Sequence, residues 1–152
     1  ADCPEKLCGC GKRHCLESAV RLDHLHQLLM AEKASWLEQE PLTFQSLFTH
    51  SRQGDPAARK IVEYLARCYA SALHNLSLCY NQEAVVFQGD MAWADPYFDQ
   101  CLKRELDEFR YYPEGEWLTT RYDRRELSTL AARGDAALLR KKYFAAMSYE
   151  DD

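Results

Sequence analysis

Apolar residues recur at helical spacing early in the chain. Leu16, Ala19, Val20, Leu22, Leu25, Leu28 and Leu29 predict one amphipathic helix ending near Ala34. Ser35-Trp36-Leu37-Glu38 has the form of a capping box, but Pro41 stops any helix begun there. Phe44, Leu47 and Phe48 predict a short helix. Gly54-Asp55-Pro56 then combines a break, an N-cap carboxylate and a proline at the first helical position. From there Ala58, Ile61, Val62, Leu65, Ala66, Tyr69, Ala72, Leu73, Leu76 and Tyr80 hold a 3.6-residue stripe down to Asn81. Such a helix is ~37 Å long, and Cys68 and Cys79 on its flank suggest cover on most sides.

Period and length then change. Ala84-Val85-Val86-Phe87 reads as a short, fully buried strand ending at Gln88-Gly89-Asp90. Asp95-Pro96 repeats the cap-then-proline signal and opens an amphipathic helix through Phe98, Cys101, Leu102, Leu106 and Phe109. Pro113 and Gly115 mark a turn, and Trp117 to Tyr122 alternates as a second strand. Gly134-Asp135 is expected to open a last helix through Ala136, Leu139, Tyr143 and Phe144. Two strands joined by a crossover helix form a parallel pair when they are neighbours. Two strands make a poor sheet alone, so the pattern predicts part of a larger α/β domain with something N-terminal missing. The chain shows no internal repeat, low-complexity tract or linker.

Composition narrows the class. The 152 residues suit one domain with a real core, and 47% hydrophobic with 28% charged residues is ordinary for a soluble protein. With 24 acids against 19 bases, a net charge of -5 disfavours unaided binding to DNA. No apolar run is long enough to span a membrane, and no signal-peptide pattern opens the chain. Alanine at position 1 suggests a processed or cut chain. Seven cysteines cannot all pair. Cys68 and Cys79 share a helix face but lie ~16 Å apart along it, beyond reach of a bridge. Reduced thiols in a cytoplasmic protein are the expectation.

One segment resists explanation by packing. Cys8-Gly9-Cys10-Gly11-Lys12-Arg13-His14-Cys15-Leu16-Glu17 places three cysteines and two glycines in eight residues. Glycines permit a tight loop, and converging thiolates in such a loop are what a zinc ion needs. Cys8, Cys10 and Cys15 would supply three sulfurs at ~2.3 Å, leaving a fourth position for His14, Cys3 or a water. A cluster of unliganded thiols is the alternative.

The motif Cys-x-Cys-Gly-x-x-x-Cys-Leu-Glu resembles the zinc signature of the ROK family of bacterial repressors and sugar kinases. The resemblance continues through Gly54-Asp55-Pro56-Ala57, Asn75-Leu76, Val85-Val86-Phe87-Gln88-Gly89-Asp90 and Asp135-Ala136-Ala137-Leu138-Leu139. It implies an α/β fold: a helix-rich part of an actin-like, hexokinase-like (ribonuclease H-like) ATPase lobe with a short parallel sheet. It implies structural zinc on Cys8, Cys10 and Cys15, with a histidine that would precede Ala1 completing the site and an occupancy that its absence would lower. It also implies that Glu17 contacts a sugar, and that Gly89 and Asp90 are the remnant of a nucleotide loop. The catalytic aspartate, the phosphate loop and a winged helix-turn-helix would all lie upstream.

Departures from the family pattern guide the choice of function. Gly89-Asp90-Met91 stands where kinases carry a Gly-Gly-Gly-like turn, and its carboxylate is unhelpful to ATP. Turn bonding is the other role open to Asp90. Arg140-Lys141-Lys142 replaces a small-residue segment and is expected to form a solvated face. His14 stands where the family usually has glycine. By resemblance, residues 1–152 form the C-terminal portion of the effector-sensing and dimerisation domain of a ROK repressor of the xylose or N-acetylglucosamine type. Its parts are a zinc loop and helix start over 1–17, a long helix over 54–81, a strand-helix-strand over 84–122 and a final helix over 134–147. A sugar or sugar phosphate would be its effector, operator DNA would be met only through an absent N-terminal domain, and no membrane contact is expected. A ROK sugar kinase acting on a hexose or N-acetylhexosamine is the alternative, and a fragment used only for association is a third. Homodimerisation or higher association is expected, with the helices from Asp95 and Pro56 offering the broadest apolar faces. Trp93, Tyr97, Tyr111, Tyr112 and Trp117 are candidate contact residues.

Overall fold

The computed structural model describes residues 7–13, 15–80, 83–109 and 118–147. Its elements are α1 (Leu16–Val20), α2 (Leu22–Ala31), α3 (Phe44–Gln53), α4 (Pro56–Tyr80), β1 (Ala84–Phe87), α5 (Pro96–Glu108), β2 (Thr119–Tyr122) and α6 (Leu127–Met147). Short 3-10 turns occupy Ser35–Glu38 and Gly89–Trp93. β1 and β2 pair in parallel, with Ala84 opposite Thr119 and Phe87 opposite Tyr122.

The cap-and-proline signals act as expected at α5. Asp95 accepts from the backbone N–H of Phe98 at 2.8 Å, and Pro96 occupies the first turn, where its missing N–H costs nothing. At α4 the Asp55 carboxylate accepts from the Ala58 N–H at 2.7 Å. A further cap sits at α3, where Thr43 and Ser46 bond reciprocally. The Ser35–Glu38 segment makes only a 3-10 turn whose N-cap is Ala34, and it buries Trp36 in a stack on His50 at 4.3 Å.

The core lies where α4 packs on α5. Val62, Leu65 and Ala66 of α4 and Phe98 and Leu102 of α5 are fully buried. Phe98 is an aromatic hub. Its ring lies 5.9 Å from Phe48 of α3, 6.1 Å from Tyr69 of α4 and 5.8 Å from Phe87 of β1, edge-on in each case. Phe87 passes the packing to the sheet by stacking on Tyr122 of β2 at 5.4 Å. Edge-to-face geometry places the positive ring edge on a negative face and adds to the area buried.

Several expectations change here. The first helix is two helices, because Arg21 is extended (φ -66°, ψ 143°). The break leaves the Ala19 carbonyl without a helical partner, and the Tyr64 hydroxyl of α4 donates to it at 3.3 Å. The same hydroxyl lies 3.3 Å from His24 Nε2, while His24 Nδ1 is buried without a partner. β1 is not fully buried: Phe87 points into the core while Val86 on the other face is 51% exposed. α4 is well covered only as far as Leu73, since Leu78 and Tyr80 are exposed.

The last helix begins at Leu127 rather than at Gly134, which lies within it with open space around it. One glycine costs a helix about 1 kcal/mol, and the surrounding leucines and alanines outweigh it. Arg140, Lys141 and Lys142 are solvent-exposed, as a solvated face requires. The apolar faces of α4 and α5 pack on each other as far as Leu73, which leaves Leu76, Leu78 and Tyr80 exposed at the end of α4. Of the aromatics proposed for contact, Trp93 lies under the Arg124 guanidinium at 5.0 Å and Tyr97 bonds to Glu63. Tyr111, Tyr112 and Trp117 lie outside the described residues, as do Asn81, Pro113 and Gly115.

Replacing Phe98 with alanine is expected to cost about 3–5 kcal/mol in urea unfolding, because the cavity opens against three elements at once. A second expectation concerns pH. Burial holds the His24 pKa below its ordinary 6.5, with Asp23 opposing weakly. The unfolded chain therefore binds this proton more readily, so stability is full above pH 6.5 and is lost as pH falls below it. Thermal melting between pH 7.5 and pH 5 should show a shallower slope in His24→Gln.

Candidate metal loop and ligand cleft

The cysteine loop closes on itself through two backbone bonds. The Cys8 N–H donates to the Lys12 carbonyl, and the Gly11 N–H to the Cys8 carbonyl, both at 2.9 Å. Gly11 has φ 78°, a left-handed conformation that side chains resist. This turn brings the sulfurs of Cys8, Cys10 and Cys15 within 4.8 Å of one another. Cys10 and Cys15 approach to 3.5 Å. Four sulfurs at ~2.3 Å around a tetrahedral zinc lie about 3.8 Å apart, so the three thiols match the spacing a metal ion would impose. Cys8 is buried, Cys15 half-buried and Cys10 exposed. Cys3 and His14, two candidates for a fourth ligand, lie outside the described residues.

The thiols are not equivalent. Hydrogen bonds from the Lys12 backbone, then from Cys15 and Cys8, lower the Cys10 pKa. The bond with Cys10, followed by burial, pushes Cys15 up to about 11. One sulfur of the pair thus carries negative charge readily and its neighbour resists it.

Glu17 sits two residues beyond Cys15, in the first turn of α1. The Cys8 thiol donates to its Oε2 at 3.4 Å, and a Cβ on Gly9 would come within 3.9 Å of its Oε1. The loop and the carboxylate are therefore one packed unit. Glu17 also lines a cleft of about 520 Å³, together with Arg21, Asp23, Phe44, Tyr69 and Asp90 among others.

Asp90 reaches this cleft because Gly89 takes φ 60° and turns the chain from β1 into a 3-10 turn. Bonding of Asp90 to its own turn finds no hydrogen bond among the described residues. The structure thus brings Glu17 and Asp90 to one cleft although 73 residues of sequence separate them. Arg21, Asp23, Phe44 and Tyr69 were not singled out from sequence. Arg21 and Asp23 flank a helix break that periodicity hides, and Phe44 and Tyr69 read as ordinary core.

The cleft is electrostatically one-sided. Glu17, Asp23 and Asp90 face it, and the one cation among the described residues that line it, Arg21, is paired with Asp23 at 3.2 Å. Phe44 and Tyr69 supply apolar wall. Carboxylates beside aromatic faces suit a neutral ligand rich in hydroxyl donors.

A sequence model of the ROK family matches residues 1–142. N-acetylmannosamine kinases of Yersinia pestis and Yersinia pseudotuberculosis are 29% identical over 96 residues, covering 63% of this chain and 31% of theirs. The chain thus spans about a third of the length of these relatives. The ROK hexokinase of Thermus thermophilus superposes with a TM-score of 0.57 at 25% identity, covering 76% of this chain and 37% of that one. A ROK family transcriptional regulator, a homologue of the E. coli MLC protein, gives 0.56 at 20% identity, covering 78% of this chain and 32% of the regulator. The fold is therefore that of an actin-like ATPase lobe, shared by kinases and a regulator alike.

The thiol asymmetry makes a direct prediction. In metal-free protein at pH 8, iodoacetamide should alkylate Cys10 before Cys15, as read by peptide mass spectrometry. Equal rates at pH 8 would contradict the asymmetry.

Proposed function

The chain belongs to the ROK family, and on that premise we propose that it is the effector-sensing part of a sugar-responsive transcriptional regulator. The observation that carries this reading is the acidic cleft shared by Glu17, Asp23 and Asp90. A triphosphate brought there would face carboxylates of like charge. Each like-charge pair at 4 Å costs roughly 4 kcal/mol at an effective dielectric near 20. A neutral sugar pays no such cost and supplies donors to the carboxylates.

In this reading Glu17 accepts hydrogen bonds from sugar hydroxyls. Zinc held by Cys8, Cys10 and Cys15 is structural: it locks the loop that packs on Glu17 and supplies no chemistry to the ligand. Effector binding changes the geometry of a homodimer, and operator DNA is bound by a separate domain of a cytoplasmic protein. The second reading is a ROK sugar kinase. It is favoured by the N-acetylmannosamine kinases at 29% identity and opposed by the carboxylate of Asp90.

Calorimetry on the longest form of the protein that carries this chain separates the two. The regulator reading expects saturable binding of a hexose or N-acetylhexosamine, weaker after zinc is stripped. Glu17→Gln should weaken it about tenfold or more, the worth of a hydrogen bond to a charged group. ATP with magnesium should not bind. Phosphate transfer from ATP to the sugar would overturn this reading in favour of the kinase.

A further inference from the structure

The three loop sulfurs differ in what each is already doing. Cys8 is 5% exposed, its thiol donates to Glu17 Oε2 at 3.4 Å, and its backbone N–H and carbonyl close the turn. Cys10 is exposed at the surface. Cys15 is half-buried at the N-cap of α1, and its sulfur lies 3.5 Å from that of Cys10. An accessible thiol thus stands against a sheltered one, while the third is committed elsewhere.

The loop can bring this pair together. Disulfide sulfurs lie ~2.05 Å apart, so from 3.5 Å the two have to close by about 1.5 Å. Residues 10–13 of the segment that must yield are all exposed, and none of its described residues belongs to the hydrophobic core. Gly11, with φ 78°, already turns the chain between the two cysteines. Closure therefore moves a surface loop and leaves the packing of α4 and α5 untouched.

An exposed cysteine beside a resolving one is the arrangement that a hydroperoxide oxidises to a bridge. We propose that Cys10 and Cys15 form a peroxide-sensitive dithiol whose disulfide withdraws the loop from metal binding. The Cys10 sulfur attacks one oxygen of hydrogen peroxide, and the O–O bond breaks. The other oxygen leaves as water with the Cys10 proton, and Cys10 becomes a sulfenic acid. The Cys15 sulfur then attacks the Cys10 sulfur, and the S–O bond breaks. The hydroxyl leaves as a second water with the Cys15 proton. Two thiols give up two electrons, and one peroxide takes them. A metal needs thiolate sulfurs, so the bridge removes two of the three that the loop offers. Bridge and metal compete for the same atoms: a bound ion protects them, and oxidation releases it. Thiol exchange restores the loop, so in a reducing compartment the bridge is transient. The inference concerns the loop alone and does not rest on the reading given to the Glu17 cleft.

Hydrogen peroxide treatment of the metal-free protein, read by non-reducing peptide mass spectrometry, tests this. The expected product is a Cys10–Cys15 bridge, seen as the loss of two hydrogens and reversed by dithiothreitol. Cys8→Ser should still form it. In Cys15→Ser, dimedone should trap the Cys10 sulfenic acid about tenfold more than in the wild type, where a resolving thiol held close outruns the trap. Zinc at about ten times its dissociation constant, added to the longest form of the protein that carries this chain, should slow bridging about tenfold. Continued peroxide should then release zinc in step with the bridge, read with a chromogenic chelator. The proposal fails if millimolar peroxide gives no bridge, or if Cys10 pairs with Cys3 or Cys8 instead. It also fails if Cys8→Ser abolishes the bridge, if dimedone labels Cys10 equally with and without Cys15, or if zinc leaves the rate unchanged. The wild-type bridge map decides the matter even where a variant melts early.

Discussion

The placement of Phe98 is the constraint on which the rest of this structure depends. Its backbone N–H is held by the Asp95 carboxylate, which sets where α5 begins. Its ring then meets α3, α4 and β1 at once, and through Phe87 it reaches β2. A sheet of two strands has too little pairing to stand alone. Here it persists because one face is packed on this aromatic cluster. The cap and the cluster also align the 3-10 turn after β1, and so decide where Asp90 emerges.

How much of this is visible in the sequence depends on whether a signal is local. Gly54-Asp55-Pro56 and Asp95-Pro96 carry their geometry in neighbouring residues, and both helices begin where those residues say. The cysteine spacing carries a loop in the same way, since three sulfurs this close in sequence have few ways to avoid one another. Phe98 could be read as a core residue, but not as the residue that joins four elements.

Non-local competition explains the differences. The stripe from Leu16 to Leu29 is continuous, yet the chain breaks at Arg21, where Tyr64 from α4 takes the Ala19 carbonyl. No periodicity reveals a hydroxyl 45 residues away. The run Ala84–Phe87 is uniformly apolar and reads as buried on both sides. Only the two-stranded sheet reveals that Val86 faces outward. At α6 the glycine-aspartate pair imitates a helix start, but the leucines and alanines before it already favour helix. The cleft was half legible: Glu17 and Asp90 are marked by motif, while the residues that join them are not.

The cysteine loop and the cleft are joined by a helix too short to be stable alone. α1 has five residues, and a helix of that length does not cover the cost of its own nucleation. Its position must come from its ends. Cys15 is its N-cap residue, and the Ser18 hydroxyl returns to the Cys15 carbonyl at 2.8 Å, so the N-terminal end belongs to the cysteine loop. The C-terminal end is held by Tyr64 on the rigid α4. Glu17 lies between these anchors, with the Cys8 thiol against its carboxylate. An ion on the three sulfurs would therefore stiffen the one end of α1 that the core does not reach. In the proposed reading, the metal acts on the ligand through this helix and not by contact.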